Sequence, residues 1–460
     1  MKVLMVVHQF LPRHLAGSEV YTYRLAQALR VRGHRVELFF TEIRPERPQY
    51  ELSEGEFFGI PYFEAVHNRY FASFRQSYRD PQMEDLFRTI LDKSAPDLVH
   101  LQHLYLHSIG YIDIARRRGL PIVYTLHEYM LMCLNSGLLL RPGGVLCDGP
   151  EPVECARCAA GMSPFPFAES SFSDTSSTTS WRLPLALRGI TAKLRASIGS
   201  RRARWLGANG DHGAYLDAVR RRQIEIREEL EKVNLFLAPS RFLRRRFVDE
   251  GLAPPDRILY SDNGLVIDPL RRTRHGPSSI LRVGYVGTIA EHKGVHLILD
   301  AFREIPESGI ECRIYGDLDT FPDYKNRLLA RGTPPAVRFM GRLENSKVNE
   351  ALAELDLLIV PSIWFENSPL TIHEAYLAGI PVLTSDRGGM AELVEDGKTG
   401  LHFRLGDSAD LRRQLLRVLH DPGLLGSLRC QLPAVKTIEE DAAHMEHRYR
   451  LLLQGRMPVS

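Results

Sequence analysis

Short β-branched runs alternate with longer amphipathic stretches along this chain, and the alternation runs through twice. Lys2–His8 reads as a buried-type strand. The helix that follows opens near Ser18, carries Val20, Leu25, Ala28 and Leu29 at helical spacing, and stops at Gly33 as a C-terminal cap. Strand runs recur at Arg35–Thr41, Asp97–Leu101 and Pro121–Leu126, a spacing that predicts right-handed βαβ units on a parallel sheet. The pattern restarts at Leu281, with strands at Leu281–Gly287, Glu311–Tyr315, Val337–Met340, Asp356–Val360 and Pro381–Thr384. Pro254-Pro255 and the Arg/Pro/Gly/Ser-rich segment Asp268–Ser279 lie between the two series. The expected organisation is an α/β first domain at 1–255, a linker at 256–280, a second α/β domain at 281–435, and a helix within 436–460 that lies on either half.

A length of 460 residues suits two large domains, and 44% apolar with 25% charged residues is the balance of an ordinary globular protein. Lys+Arg exceed Asp+Glu by only 59 to 56, so nothing global points to nucleic acid. Val3–Val7 is the only apolar run near the N-terminus, short of the roughly 7–15 residues of a secretory signal. No stretch approaches the ~18 residues of a membrane span, and the expectation is a cytoplasmic protein.

Charge is unevenly placed. Arg182–Arg246 holds 16 Lys/Arg against 6 Asp/Glu, a net of +10, in a basic insertion taken as 159–232 and its continuation. One reading is a solvated helical face. The other is peripheral contact with anionic phospholipid at the inner face of the cytoplasmic membrane, for which Leu183, Leu187, Ile190, Leu194 and Trp205 supply apolar partners. Just before it, Cys133, Cys147, Cys155 and Cys158 cluster within 133–158. Four thiolates suffice for a closed tetrahedral zinc site, although a single Cys-x-x-Cys leaves buried or free thiols as the alternative.

The most informative stretch runs from Pro361 through Glu366, Asn367, Ser368, Pro369, Leu370 and Glu374 to Gly379 and Pro381. It begins at a strand end, and a helix is expected near Ser368-Pro369, with serine as cap and proline in the first turn. Glu366 then sits in the loop and Glu374 one turn into the helix. An anion can rest on the helix N-terminus while the two carboxylates grip hydroxyls on either side, which matches a nucleotide diphosphate sugar. Gly284-Tyr-Val-Gly287-Thr288 closes an earlier strand and Lys293-Gly294 opens the next helix, so a lysine and a glycine-rich turn face the same crevice.

These blocks together resemble the retaining glycosyltransferases of family 4. Glu366, seven residues, Glu374 and then Ala-x-x-Ala-Gly-x-Pro-Val is similar to the family signature. Val286-Gly-Thr-x5-Gly294 looks like its phosphate-binding turn, with Lys293 in the place of the diphosphate lysine. Pro12 to Gly17-Ser18-Glu19 and Arg32-Gly-His34 look like its N-terminal glycine loop and first helix. Thr125-Leu-His127-Glu128-Tyr129 resembles its Thr-x-His-Asp-Tyr segment. The resemblance implies the GT-B fold, two Rossmann-like domains facing each other across a donor-binding cleft. It assigns Glu374 to the donor ribose, Glu366 to the transferred sugar, Lys293 to the leaving diphosphate, Gly17 and Ser18 to the phosphates from the opposite domain, and His127 to the reacting sugar. Two departures stand out. Thr288 replaces the usual arginine, with Arg342 a candidate substitute, and Asn367-Ser368-Pro369 replaces the commoner Gly-Phe-Gly.

The implied activity is retaining, metal-independent transfer from a nucleotide diphosphate sugar to a glycan or lipid-linked acceptor, with no cofactor required and no nucleic acid involved. Asp317-Leu-Asp319 matches a manganese-binding pattern of the other major transferase fold but follows a strand here, where an ordinary turn is expected. Competing readings are a GT-B sugar-nucleotide epimerase and a non-catalytic nucleotide-sugar-binding subunit. A nicotinamide oxidoreductase is disfavoured because neither half has Gly-x-Gly-x-x-Gly after a strand.

Overall fold

The computed structural model describes residues 1–141, 144–161, 212–267, 279–305, 308–421 and 423–458. The first series forms β1 (Lys2–Val6), β2 (Arg35–Glu42), β3 (Leu52–Phe57), β4 (Ile60–Val66), β5 (Leu98–Leu101) and β6 (Ile122–Thr125). A small hairpin follows, β7 (Leu140–Arg141) and β8 (Val145–Leu146), and then β9 (Leu235–Ala238) and β10 (Ile258–Tyr260) rejoin the large sheet. Its strand order is β10-β9-β6-β5-β1-β2-β4-β3, parallel throughout except for the β3–β4 pair.

The second series forms β11 (Leu281–Val286), β12 (Ile310–Tyr315), β13 (Val337–Gly341), β14 (Leu357–Val360), β15 (Val382–Ser385) and β16 (Gly400–Phe403). These make an all-parallel sheet in the order β13-β12-β11-β14-β15-β16. Strands β5, β6, β9 and β14 are buried at every position, as expected for sheets covered by helices on both faces. The continuous Val/Ile/Leu runs of the sequence arise from that burial.

The antiparallel β3–β4 hairpin was not expected. Its two-residue turn, Phe58-Gly59, takes positive φ at both positions (47° and 77°), the backbone that matches strand twist but that Asn-Gly usually signals. Residues 268–278 of the expected linker, and 162–211 of the basic insertion, lie outside the described residues.

The helix Ile438–Leu453 packs on the first sheet. Ile438, Ala442, Met445, Tyr449 and Leu452 are buried at alternating spacings of four and three, one continuous stripe, in a cluster with Tyr21, Leu25 and Leu29 of the helix Gly17–Val31. Each large apolar side chain buried this way contributes roughly 1.5–3 kcal/mol. Thr437 and Glu440 close a reciprocal capping box at its start. Its buried Asp441 accepts from the Tyr21 hydroxyl at 2.9 Å, the Gly264 N–H at 3.0 Å and Lys436 at 2.5 Å. The chain therefore ends on the domain it began with.

Candidate active site

Strand order places the site. In the second sheet the chain runs outward from β11 to β12 and β13, then crosses to the other side of β11 to lay down β14. The order reverses between β11 and β14, and ligands of open α/β sheets bind outside the carboxyl ends of strands at such a point. Lys293 follows β11 and Glu366 follows β14, so this reversal brings them together. Lys293 Nζ lies 2.6 Å from Glu366 Oε1, which also accepts from Ser362 Oγ at 2.7 Å. The ammonium sits over the Trp364 ring at 5.2 Å. Burial pushes the Glu366 carboxyl up, but Lys293 and the hydroxyl of Ser362 overcome this and hold it below the usual range. Glu366 is therefore a buried carboxylate, ionised and paired.

Gly294 adopts φ +73°, and a Cβ there would collide with the Pro361 carbonyl, so the turn carrying Lys293 packs directly on the strand end leading to Glu366. The helix here spans Leu370–Leu377 with Pro369 as N-cap and no side-chain cap. Ser368 is not the cap expected from its position. Its hydroxyl donates to Asp262 Oδ1 at 2.6 Å and meets His373 Nε2 at 2.9 Å, because Asp262, far away in sequence, competes better for it. The first N–H groups of this helix are left for another partner. Glu374 is half-buried one turn along, and its largely protein surroundings raise its carboxyl to about 7.

The first sheet reverses between β1 and β5, and the residues beyond those strands form the opposite wall. The His8 and His103 rings lie 4.1 Å apart, His8 Nε2 is 3.4 Å from the buried Glu19, and Ser18 Oγ donates to Glu19 at 2.8 Å. His127 Nε2 meets Gln102 Oε1 at 2.8 Å. An amide oxygen only accepts, so Nε2 carries the proton and Nδ1 is the free acceptor. Burial, with His8 nearby, drops His127 to about 3 and lowers His8 and His103 as well, leaving neutral imidazoles. Burial also lifts Glu128 to about 8 despite a bond from the Met130 N–H, so this carboxyl is largely protonated at neutral pH.

The two walls touch. Asn367 Nδ2 donates to the His127 carbonyl at 2.6 Å. A methyl group at Gly17 would stand 3.7 Å from Leu370 Cδ1. The helix Gly17–Val31 has Ala16 as N-cap and likewise no side-chain cap, so two open helix N-termini face one cleft from opposite domains. Glu392 adds a second bridge, accepting from the N–H groups of Arg241 and Phe242 at 2.7 Å each, at the start of the helix Arg241–Asp249.

Contacts thus bring Gly17 to Leu370, His127 to Asn367 and Lys293 to Glu366, with Ser18, Ser368, Pro369 and Glu374 nearby along the same segments and Gly287 and the exposed Thr288 at the end of β11. Arg342 is not in that group: it stands exposed past edge strand β13, with β12 between it and β11. Asp317 accepts from the Asp319 N–H at 2.8 Å, and Asp319 pairs with Lys325 at 2.6 Å, which makes a local turn. Gln102, His8, His103, Asp262 and Glu392 were not singled out from sequence, since their partners are supplied by other elements. An open hollow of about 890 Å³ lies elsewhere, beside Arg69, Tyr70 and Arg79. It connects to the first wall through Arg69, stacked 5.6 Å over Tyr105, whose ring packs on His8 and His103.

Within the basic segment, Arg220, Arg221, Arg227, Arg241 and Arg245 are exposed, while others turn inward. Arg222 is buried and donates to the Met130 carbonyl at 2.5 Å, Arg244 to Ile258 at 2.9 Å, and Lys232 pairs with Asp113 at 2.9 Å. No helix among the described residues is long and apolar enough to cross a membrane.

Comparison with known proteins agrees with this geometry. A family model described as glycosyl transferases group 1 matches residues 277–432, and one described as glycosyltransferase family 4 matches 15–142. An alpha-D-kanosaminyltransferase of Streptomyces kanamyceticus is 31% identical over 173 residues, 36% of this chain and 44% of that protein. A glycogen synthase of Mycobacterium tuberculosis is 34% identical over 163 residues, 33% of this chain and 36% of that protein. An amylovoran biosynthesis glycosyltransferase of Erwinia amylovora is 27% identical over 197 residues, 40% and 47% of the two chains. The chain thus spans less than half the length of these relatives. Among solved structures, Anabaena Alr3699/HepE in complex with UDP and glucose superposes with a TM-score of 0.61 at 17% identity, covering 97% of this chain and 98% of that one. A sucrose-phosphate synthase from Thermosynechococcus elongatus gives 0.66 at 16%, covering 99% of each. At these identities the likeness is one of fold, GT-B.

Proposed function

The chain belongs to glycosyltransferase family 4, and from that premise we propose that it moves a sugar from a nucleotide diphosphate sugar to a glycan or lipid-linked acceptor, with retention and without a metal ion. The observation carrying this reading is the pair of open helix N-termini, at Gly17 and Leu370, facing one cleft beside the Lys293–Glu366 pair. A diphosphate between them would meet N–H groups from both domains and the Lys293 ammonium. Glu374 would accept from two ribose hydroxyls, and Glu366 would hold the transferred sugar, where its charge favours a developing oxocarbenium ion.

In the proposed step, the bond from the anomeric carbon to the diphosphate oxygen breaks while the acceptor oxygen bonds on the same face. The departing phosphate oxygen takes the acceptor proton. Lys293 and the helix N-termini would stabilise charge gathering on the leaving group, so catalysis is mainly positioning and electrostatics. The neutral His127 ring, with Nδ1 free, suits a hydrogen bond to a sugar hydroxyl and leaves the proton transfer to the phosphate.

The first wall, from His103 through Tyr105 to Arg69, gives the acceptor a lane of aromatic and cationic groups. That chemistry fits a glycan, or the diphosphate of a lipid-linked one. A role in cell-surface polysaccharide or glycolipid synthesis, at the inner face of the membrane, follows from such an acceptor and draws support from the +10 charge of residues 182–246.

A thermal-shift panel of UDP, GDP, ADP and CMP, each with EDTA or magnesium, tests the donor site on wild type, Lys293→Ala and Glu374→Ala. Ligand at ~100 Kd adds about 2.7 kcal/mol. A shift with one nucleotide, indifferent to EDTA and lost in both variants, supports the proposal and names the base. No shift with any nucleotide would overturn it, and a requirement for magnesium would overturn metal independence.

A further inference from the structure

Four cysteines outside the cleft lie around one pocket. Cys133 ends the loop after Tyr129, Cys147 directly follows the β7–β8 hairpin, and Cys155 and Cys158 stand one turn apart on the helix Pro152–Gly161. All four line a single narrow, partly open pocket, with about 20 Å³ of room for a water-sized sphere. The space is enough for a single ion or water between the four side chains. None of the four is in a disulfide.

We propose that Cys133, Cys147, Cys155 and Cys158 bind one structural zinc ion as thiolates, and that this ion clasps the segment following His127 to the helix Pro152–Gly161. Sulfur ligands in a closed set of four select zinc, and the site leaves no open position for chemistry.

The surroundings fit the charge of such a centre. Backbone N–H groups of Asn135 and Leu139 point at the Cys133 sulfur. The Arg141 side chain reaches the Cys147 sulfur. Arg222, buried, lies within electrostatic reach of Cys133 and Cys155, while its hydrogen bonds go to the Met130 and Leu131 carbonyls. A zinc ion with four thiolates is a net anion, and a buried guanidinium beside it compensates that charge. Arg222 therefore joins the metal centre to the strip of chain that carries His127 and Glu128. Gln223, on the helix His212–Leu230 with Arg222, adds a bond to the Pro150 carbonyl at 3.0 Å.

The four sulfurs are not drawn in to ligating distance in this arrangement. Zinc binding would draw the four side chains toward the pocket they share. The bond between the Cys147 thiol and the Gly149 carbonyl, 3.2 Å, would have to break as the thiol loses its proton.

The full chain, purified reduced and without chelator, gives the test by elemental analysis, with about one zinc per molecule expected. Cys158→Ser should lower that to below about a tenth. Should that variant fail to fold, two measurements on wild type decide. Cobalt exchanged for zinc should show the sulfur-to-metal charge transfer and visible bands of a tetrahedral thiolate site. Thiol titration of the native protein should find only Cys430 reactive, Cys312 being buried, until a chelator exposes four more. Zinc near zero after refolding with zinc, iron in its place, or free titration of all four thiols in the native protein overturns the proposal. These readouts stand apart from nucleotide binding, so either proposal can fail alone.

Discussion

Asn367 donates to the main-chain carbonyl of His127 at 2.6 Å, so a residue of the donor-side loop holds the backbone of a residue on the opposite wall. Asn367 Oδ1 is buried without a protein partner beside it. Replacing Asn367 by alanine should weaken the closed arrangement by about 0.5–1.5 kcal/mol, or about 2- to 12-fold in kcat/KM. Asn367→Asp should cost more, since it sets a carboxylate against a carbonyl. Steady-state kinetics of both variants read this out; equal activity in all three proteins would deny the contact a role.

The Lys293–Glu366 pair separates stability from binding. Lys293→Ala strands a buried carboxylate and should destabilise the protein by about 3–5 kcal/mol at most, less to the extent that the half-buried lysine is screened. The double change Lys293→Met with Glu366→Leu removes both charges and should recover most of that loss in denaturant unfolding. Nucleotide should still fail to raise its Tm. Recovery of the ligand shift would remove both residues from the donor site.

Acidity gives a signed prediction. Glu374 and Glu128 titrate near about 7 and 8 in the folded protein, above their unfolded value, so the native state holds protons that the unfolded chain has lost. Stability should therefore fall as pH rises from about 4.5 through those values. Histidines 100, 103, 107 and 127 oppose this below about 6.5, where only the unfolded chain protonates them. The histidines outnumber the carboxyls, so stability should rise toward about pH 6.5 and decline beyond it. Glu128→Gln should flatten the alkaline decline in chemical denaturation, and an unchanged slope would contradict the burial of that carboxyl.

Nucleotide affinity should carry a linked signature. If Glu374 binds ribose as a carboxylate, it must shed its proton, so affinity should increase between about pH 6 and 8 with net proton release. Calorimetry in buffers of different ionisation enthalpy measures that release. Glu374→Gln should abolish it.

Asp441 is fully buried and serves Tyr21, Gly264 and Lys436 at once. Asp441→Ala takes the carboxylate from Lys436, which keeps the Asp262 carbonyl, and leaves two donors unsatisfied; it should cost about 3–5 kcal/mol, loosening the helix Ile438–Leu453 from the first domain. Urea unfolding measures this, and a loss under about 1 kcal/mol would show that helix to be a passive cover.

Strands and helices were legible because their signals are local. Asp356–Val360 reads as a strand from five neighbouring residues, and β14 occupies Leu357–Val360. The Glu366-x7-Glu374 block was legible for the same reason, being one loop and one helical turn. The β3–β4 hairpin was missed because Phe58-Gly59 carries no usual turn signature, and its positive φ values are sustained by the pairing on either side. Ser368 shows the limit most clearly. Local chemistry makes it a helix cap, but Asp262 and His373 take its hydroxyl once the domains are apposed.

From the sequence alone came two doubly repeated α/β series, the loop that carries both glutamates, the lysine turn, and four cysteines close enough in the chain to meet. Hydrophobic period, turn residues and motif spacing depend only on neighbours, so they are written in order along the chain. Tertiary structure decided which strand ends adjoin, that β11 and β14 set Lys293 against Glu366, and that His127 lies under Asn367. It also decided where each proton rests, because burial beside a given neighbour moves Glu366 down and Glu374 up while both begin as the same side chain. Those outcomes rest on contacts between residues far apart in sequence, whose energies exist only after the chain has folded.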